Sequence, residues 1–222
     1  MLNPQLDSNG RKKVLITTLG LVLCVVVFLS LFFWKMTQPR ALSRNELNAN
    51  GLVMYELPRR FDDFQFVDDE GNSFTRQDFV GKWTMVFPGY TFCPDICPVT
   101  MAELAKLWDL LDERPKSDLQ VVMLSVDPNR DTPERLHEYV SYFNEEFIGI
   151  TADLETLSRA GAQWNIAFTI VNPADVEDYY TVDHSGNILL INPAGHYQGF
   201  FRPPFDPSRL KLTYQSVWVT NR

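Results

Sequence analysis

The stretch WTMVFPGYTFCPDICPVTMAELAKLWDLL (residues 83–111) decides the fold. It opens on a short apolar run, WTMVF (83–87), which reads as a buried strand. It closes on Val99–Leu111, where Leu104, Ala105, Trp108 and Leu111 recur at helical spacing. Between the two, TFCPDICP (91–98) sets Cys93 and Cys97 four positions apart, each followed by proline. Strand, cysteine loop and helix therefore follow one another, with two sulfurs where the helix begins.

Working outward, Phe64, Phe66 and Phe74 flank DDEGNS (68–73), a Gly/Asn turn between short extended segments, as in a hairpin. Downstream, LQVVMLSV (119–126) is a second buried strand. DTPERLHEYVSYF (131–143) then starts a helix, with Asp131 or Thr132 as cap and Pro133 in the first turn. FIGIT (147–151) is a third strand, Asp153 caps a short helix to Ala162, and IAFTIV (166–171) is a fourth strand. ILLIN (188–192) and HYQGFF (196–201) bracket a Pro-Ala-Gly hairpin turn. A last helix has Asp206 as cap and Pro207 at its first position. Strands alternating with helices imply an α/β domain with a largely parallel sheet covered on both faces. The hairpin in front and the hairpin and helix behind match a thioredoxin-like fold with an N-terminal β-hairpin extension. That likeness is one of fold and leaves function open.

Val14–Trp34 carries no charge over 21 residues, enough to span ~30 Å of hydrocarbon as a helix. A cleaved signal would have a shorter apolar core ending in small residues. This segment ends in Phe32-Phe33-Trp34, so it reads as a single transmembrane anchor. Cys24 is a small apolar residue within it. The expected organisation is a cytoplasmic tail (1–13), the anchor (14–34), a tether (35–58) and the globular domain (59–222). Arg11, Lys12 and Lys13 cluster on one side of the span, while Lys35, Arg40 and Arg44 lie more diffusely on the other. The compact cluster favours the N-terminus inside. In a bacterium the domain would then sit in the periplasm, held to the inner membrane. Residues 35–222 hold 17 Lys and Arg against 27 Asp and Glu, which argues against nucleic-acid binding.

Cys93 lies in the loop and Cys97 at the helix start, where free N–H groups and the macrodipole favour a thiolate. Thioredoxin-type exchangers use Cys-x-x-Cys, whereas three residues intervene here. The pair alone leaves dithiol redox chemistry, metal binding and structural sulfur open. Convergent thiolates select Cu(I), or zinc in a closed site. A third ligand would come from the three histidines. His137 falls mid-helix, on the side away from Leu136, Tyr139 and Val140, and reads as solvated. His196 follows a turn and reads as a surface strand residue. His184, in YYTVDHSGNILL (179–190), lies in a loop that a thioredoxin-like fold brings beside the cysteines. Asp183 could orient its imidazole, although capping the turn is the plainer role.

GYTFCPDICP (89–98), SVDPNRDTP (125–133) and VDHS (182–185), in this order and spacing, resemble the Sco/SenC family of membrane-anchored, copper-binding thioredoxin-like proteins. The resemblance spans roughly 60–220 together with the anchor. It implies that Cys93, Cys97 and His184 bind copper, and that the protein serves assembly of the Cu-A site in cytochrome c oxidase subunit II. A copper donor upstream would complete that scheme. It also marks Asp127, which turn and capping roles explain equally well. Pro88 departs from the family's usual aromatic before Gly-Tyr-Thr and touches the loop's geometry. The competing function is a thiol–disulfide oxidoreductase, cycling a Cys93–Cys97 disulfide to reduce the Cu-A cysteines. Against it, no proline lies between Pro173 and Pro193, where thioredoxins carry one beside their cysteines. A peroxidase reading of Pro88, Thr91 and Cys93 fails because the intervals are too short. A copper or redox sensor would use the same ligands. No turnover of a small-molecule substrate is expected.

Overall fold

The computed structural model describes residues 8–37, 40–172 and 180–221. Parts of the expected tail (1–7) and tether (38–39) lie outside them. The chain divides into two units, residues 1–40 and 41–222.

The first unit is helix α1, Ser8–Thr37. Within Gly10–Met36 an 18-residue window has a mean hydropathy of 2.8, and the stretch is long and apolar enough to cross a membrane. The helix exceeds the expected anchor at both ends. It takes Arg11, Lys12, Lys13 and Lys35 into its terminal turns, where long cationic side chains can reach a polar interface.

In the second unit, the expected tether carries a helix and a strand from Arg44 onward. Helix α2 (Arg44–Ala49) starts on a capping box between Ser43 and Glu46. Strand β1 (Leu52–Arg59) follows and buries Leu52 completely. Its partner, β10, is the last strand of the chain. Nothing in the local sequence signals that long-range pairing, so the segment read as a linker.

The remaining strands are β2 (Phe66–Asp68), β3 (Ser73–Phe74), β4 (Trp83–Gly89), β5 (Leu119–Ser125), β6 (Ile148–Thr151), β7 (Phe168–Val171), β8 (Thr181–His184), β9 (Ile188–Asn192) and β10 (His196–Phe201). Among the described residues, seven of them join β1 in one sheet in the order β1-β10-β9-β4-β5-β6-β2-β3. The expectation of a largely parallel sheet needs correction. Only β4, β5 and β6 run parallel, while β9, β10 and β1 on one side and β2 and β3 on the other pair antiparallel. Short turns, not helices, join β2 to β3 and β9 to β10, and short turns allow only antiparallel pairing.

Every residue of β4 and β5 is buried, which is why both appear as unbroken apolar runs. Pro88 lies beyond Thr84–Val86, the part of β4 that pairs with β9, so the antiparallel ladder has ended before it. Helices α3 (Ile96–Leu110), α4 (Glu113–Ser117), α5 (Pro133–Phe143), α6 (Leu154–Trp164) and α7 (Pro207–Thr220) complete the fold. Thr132, Asp153 and Asp206 accept backbone N–H bonds at the starts of α5, α6 and α7. The β2–β3 hairpin anchors on α6 through Trp164, whose ring lies 5.1 to 6.1 Å from those of Phe61, Phe64, Phe66 and Phe79. Such ring pairs add about 0.5–1.5 kcal/mol each beyond area burial.

The expected fourth strand of the sheet is not in it. β7 and β8 form a separate two-stranded antiparallel arm with Phe168 opposite His184. Ile170 and Val171 are exposed. Their β-branched side chains favour extended backbone, and that preference does not determine which strand they pair with.

Candidate metal centre

Cys93 sits in the loop after β4, its N–H bonded to the Tyr90 carbonyl at 3.2 Å. The loop is held by Asp131, a fully enclosed side chain; the N-cap of α5 is its neighbour Thr132. Asp131 accepts from the Thr91 N–H (2.9 Å), the Thr91 hydroxyl (2.7 Å) and the Ser125 hydroxyl (2.6 Å). Burial raises its carboxyl above the usual range, partly opposed by those three donors.

Cys97 is the second residue of α3 and fully buried. Asp95, at the N-cap position, makes no side-chain cap. The helix start therefore keeps its N–H groups for the sulfurs, and the backbone at Asp95 and Cys97 supports the Cys93 thiolate. A donated bond from Cys97 is the main cause that brings the Cys93 thiol down to about 3, and burial opposes it. The Cys97 thiol moves the other way, because its proton serves Cys93 and because it is enclosed. The pair thus holds one proton, on the inner sulfur, and exposes a thiolate on the outer one. Gly89 makes room for this, since a Cβ there would stand 3.1 Å from Cys97 Sγ.

His184 is the last residue of β8, not part of a loop as expected. Its ring meets those of Tyr90 and Phe87 edge-on, at 5.9 and 6.1 Å. Nδ1 lies 3.1 Å from the Ser185 carbonyl oxygen. A carbonyl only accepts, so Nδ1 carries the proton and Nε2 presents its lone pair. That Nε2 is 3.4 Å from Cys97 Sγ. The Ser185 carbonyl therefore does the orienting that Asp183 had been considered for, and Asp183 is exposed.

The donor atoms of Cys93, Cys97 and His184 all lie within 4.8 Å of one another. Two thiolates and one imidazole, with no carboxylate, form a soft set suited to copper. The other histidines stay away from it. His137 bonds Asp69 on the β2–β3 turn at 2.9 Å, and His196 opens β10 opposite Asn192. Asp127 is buried close to the site without joining the donor cluster. It pairs with Arg130 and accepts the Tyr180 hydroxyl at 2.7 Å.

A family model described as SCO1/SenC matches residues 56–218. The chain belongs to the SCO1/SenC family. Its Sco thioredoxin-like domain, preceded by a long apolar helix, is 37% identical over 184 residues to a Stutzerimonas stutzeri protein named for copper binding, covering 82% of this chain and 89% of that one. It is 31% identical over 170 residues to the mitochondrial SCO1 homolog 1 of Arabidopsis thaliana, covering 74% of this chain but only 50% of that relative's length. Among solved structures it resembles Arabidopsis thaliana ScoI with copper bound, at a TM-score of 0.65 and 31% identity over 71% of this chain and 98% of that one. Copper is bound in that Sco structure, and this Sco chain brings a Cys-x-x-x-Cys pair and a distant His into one cluster.

Proposed function

We propose that this Sco protein is a membrane-anchored copper metallochaperone that supplies the Cu-A centre of cytochrome c oxidase subunit II. The observation that carries the proposal is the convergence of Cys93, Cys97 and His184. Three donors hold copper yet leave its coordination sphere open to an incoming ligand, so the ion can pass on by exchange. Two-electron oxidation of Cys93 and Cys97 to a disulfide removes both thiolates, which couples loading to redox state. Its copper comes from a donor upstream. The Arg11–Lys13 cluster supports a cytoplasmic N-terminus and, in a bacterium, a periplasmic domain on the inner membrane.

The test is copper titration of the reduced full chain in detergent, followed by absorbance and electron paramagnetic resonance. One ion should bind, with thiolate-to-copper charge transfer and nitrogen coupling. Cys93→Ser and Cys97→Ser should abolish the charge-transfer band, and His184→Ala should remove the nitrogen coupling. Unchanged affinity and spectra in all three would defeat the reading.

The lowered Cys93 thiol favours a second activity at the same site, reduction of the Cu-A cysteines before metal arrives. Attack by the Cys93 thiolate would give a mixed disulfide. Cys97, once deprotonated, would resolve it, leaving the partner with two thiols and this chain oxidised. Rapid reduction of a disulfide-bonded Cu-A peptide by the reduced chain supports this activity; a rate no better than that of free cysteine refutes it.

A further inference from the structure

The metal donors stand on two separate pieces of structure. Cys93 lies in the loop between β4 and α3, Cys97 lies in α3, and His184 ends the β7–β8 arm. Arg130 is one of the side chains that touch both pieces. The Arg130 guanidinium lies 3.6 Å from the ring centroid of Tyr180, at the base of β8, and its Nη1 donates to the Tyr180 carbonyl at 3.0 Å. The same guanidinium stands 4.8 Å from the ring of Phe92, next to Cys93, and 5.7 Å from that of Tyr90. Buried Asp127 fixes it from below, bonding Arg130 Nε as well as the Tyr180 hydroxyl. Arg130 Nη2 is buried with no hydrogen-bond partner among the described residues. The aromatic faces around the guanidinium account for this, because they attract a cation without accepting a conventional bond.

We propose that Arg130 is a positioning residue that sets the separation of His184 from the two cysteines by clamping Tyr180 against Phe92. The role rests on the copper reading above, but the clamp exists in the metal-free protein. A planar cation can hold two rings at once, whereas a lysine ammonium on Asp127 cannot stack in the same way. The clamp does not touch the metal, so its loss should free the imidazole and spare the thiolates.

The test uses the full chain in detergent with 13C-labelled histidine, which gives three imidazole signals. In the apo protein the His184 signal should be displaced by the Tyr90 and Phe87 rings. Arg130→Lys and Tyr180→Leu should move it towards the free-imidazole position while leaving the His196 signal unchanged. Tyr180→Phe keeps the ring face and should leave the His184 signal near wild type. With Cu(II), the first two variants should retain the thiolate charge-transfer band, lose nitrogen hyperfine splitting and bind about 10- to 100-fold more weakly. A wild-type His184 signal in Arg130→Lys and Tyr180→Leu overturns the proposal. So does equal damage from Tyr180→Phe and Tyr180→Leu, which would assign the effect to the hydroxyl. If wild type binds no copper, the copper reading fails, and the apo signals still decide the clamp.

Discussion

Cys97 Sγ and His184 Nε2 lie 3.4 Å apart although 87 residues separate them in sequence. The first turn of α3 and the end of β8 meet at this point. Because His184 Nδ1–H is engaged by a carbonyl, the facing nitrogen is an acceptor, and the sulfur opposite it holds the pair's proton.

Metal binding should therefore release one proton. Cys93 is already a thiolate at any pH well above about 3 and adds nothing to the pH dependence at neutrality. Cys97, raised by its bond to Cys93 and by burial, must lose its proton to coordinate. Apparent Cu(I) affinity should then rise about tenfold per pH unit. Titration of the reduced chain in weak buffer with a pH indicator measures the release. A slope of zero or two protons would contradict this assignment.

Gly89→Ala should harm the site without altering a ligand. The new methyl would meet the Phe87 ring at 3.0 Å, Cys97 Sγ at 3.1 Å and the Met123 methyl at 3.2 Å. Overpacking of this kind costs about 1–3 kcal/mol. Chemical denaturation followed by tryptophan fluorescence should report that loss, and copper titration a weaker site. A stable variant with unchanged affinity would show that Cys97 can move freely.

Asp131→Ala should loosen the cysteine loop. It strands the Thr91 N–H and the Thr91 and Ser125 hydroxyls in the interior, each at about 1–3 kcal/mol where no replacement partner is found. Asp131→Asn retains an acceptor and should cost less. Iodoacetamide alkylation of reduced Cys97, slow in wild type because the sulfur is enclosed, should accelerate in the alanine variant. Equal rates in the three proteins would count against a supporting role.

The His137–Asp69 pair predicts a pH effect remote from the metal. Its hydrogen bond to Asp69 is the chief cause raising the His137 pKa. A raised histidine stabilises below its unfolded pKa of about 6.5. That contribution fades as pH climbs through the higher folded value. The His137 imidazole signal should titrate above the ordinary range, and Asp69→Asn should bring it back. Identical midpoints would dismiss the pair.

What could be read in advance was what neighbouring residues decide. The apolar runs of β4 and β5, the proline after each cap of α5 and α7, and the cysteine spacing all carry local meaning. His184 came into view because its loop had to pass the cysteines in a thioredoxin-like fold. The joint role of Arg130, Asp131 and Tyr180 is not legible locally, because the contacts that define it join residues 40 or more positions apart, as in Thr91 with Asp131 and Arg130 with Tyr180. β1 was missed for the same reason. Its partner, β10, lies at the far end of the chain, while Glu56 and Pro58 make the strand itself look like a surface linker. α3 begins at Ile96, earlier than its periodicity suggested, because Pro98 fits a first turn where no N–H bond is needed.

Asp95 could cap α3 and does not. A filled N-cap contributes roughly 1 kcal/mol to a helix, so this position gives up stability that the sequence could easily recover. Selection for a hardier protein would favour a capping side chain here. That side chain would compete with Cys93 for the same N–H groups, and the sulfur would become harder to ionise. The start of α3 is thus a point where robustness and reactivity draw on one resource, and an engineered thermostable variant should leave it alone.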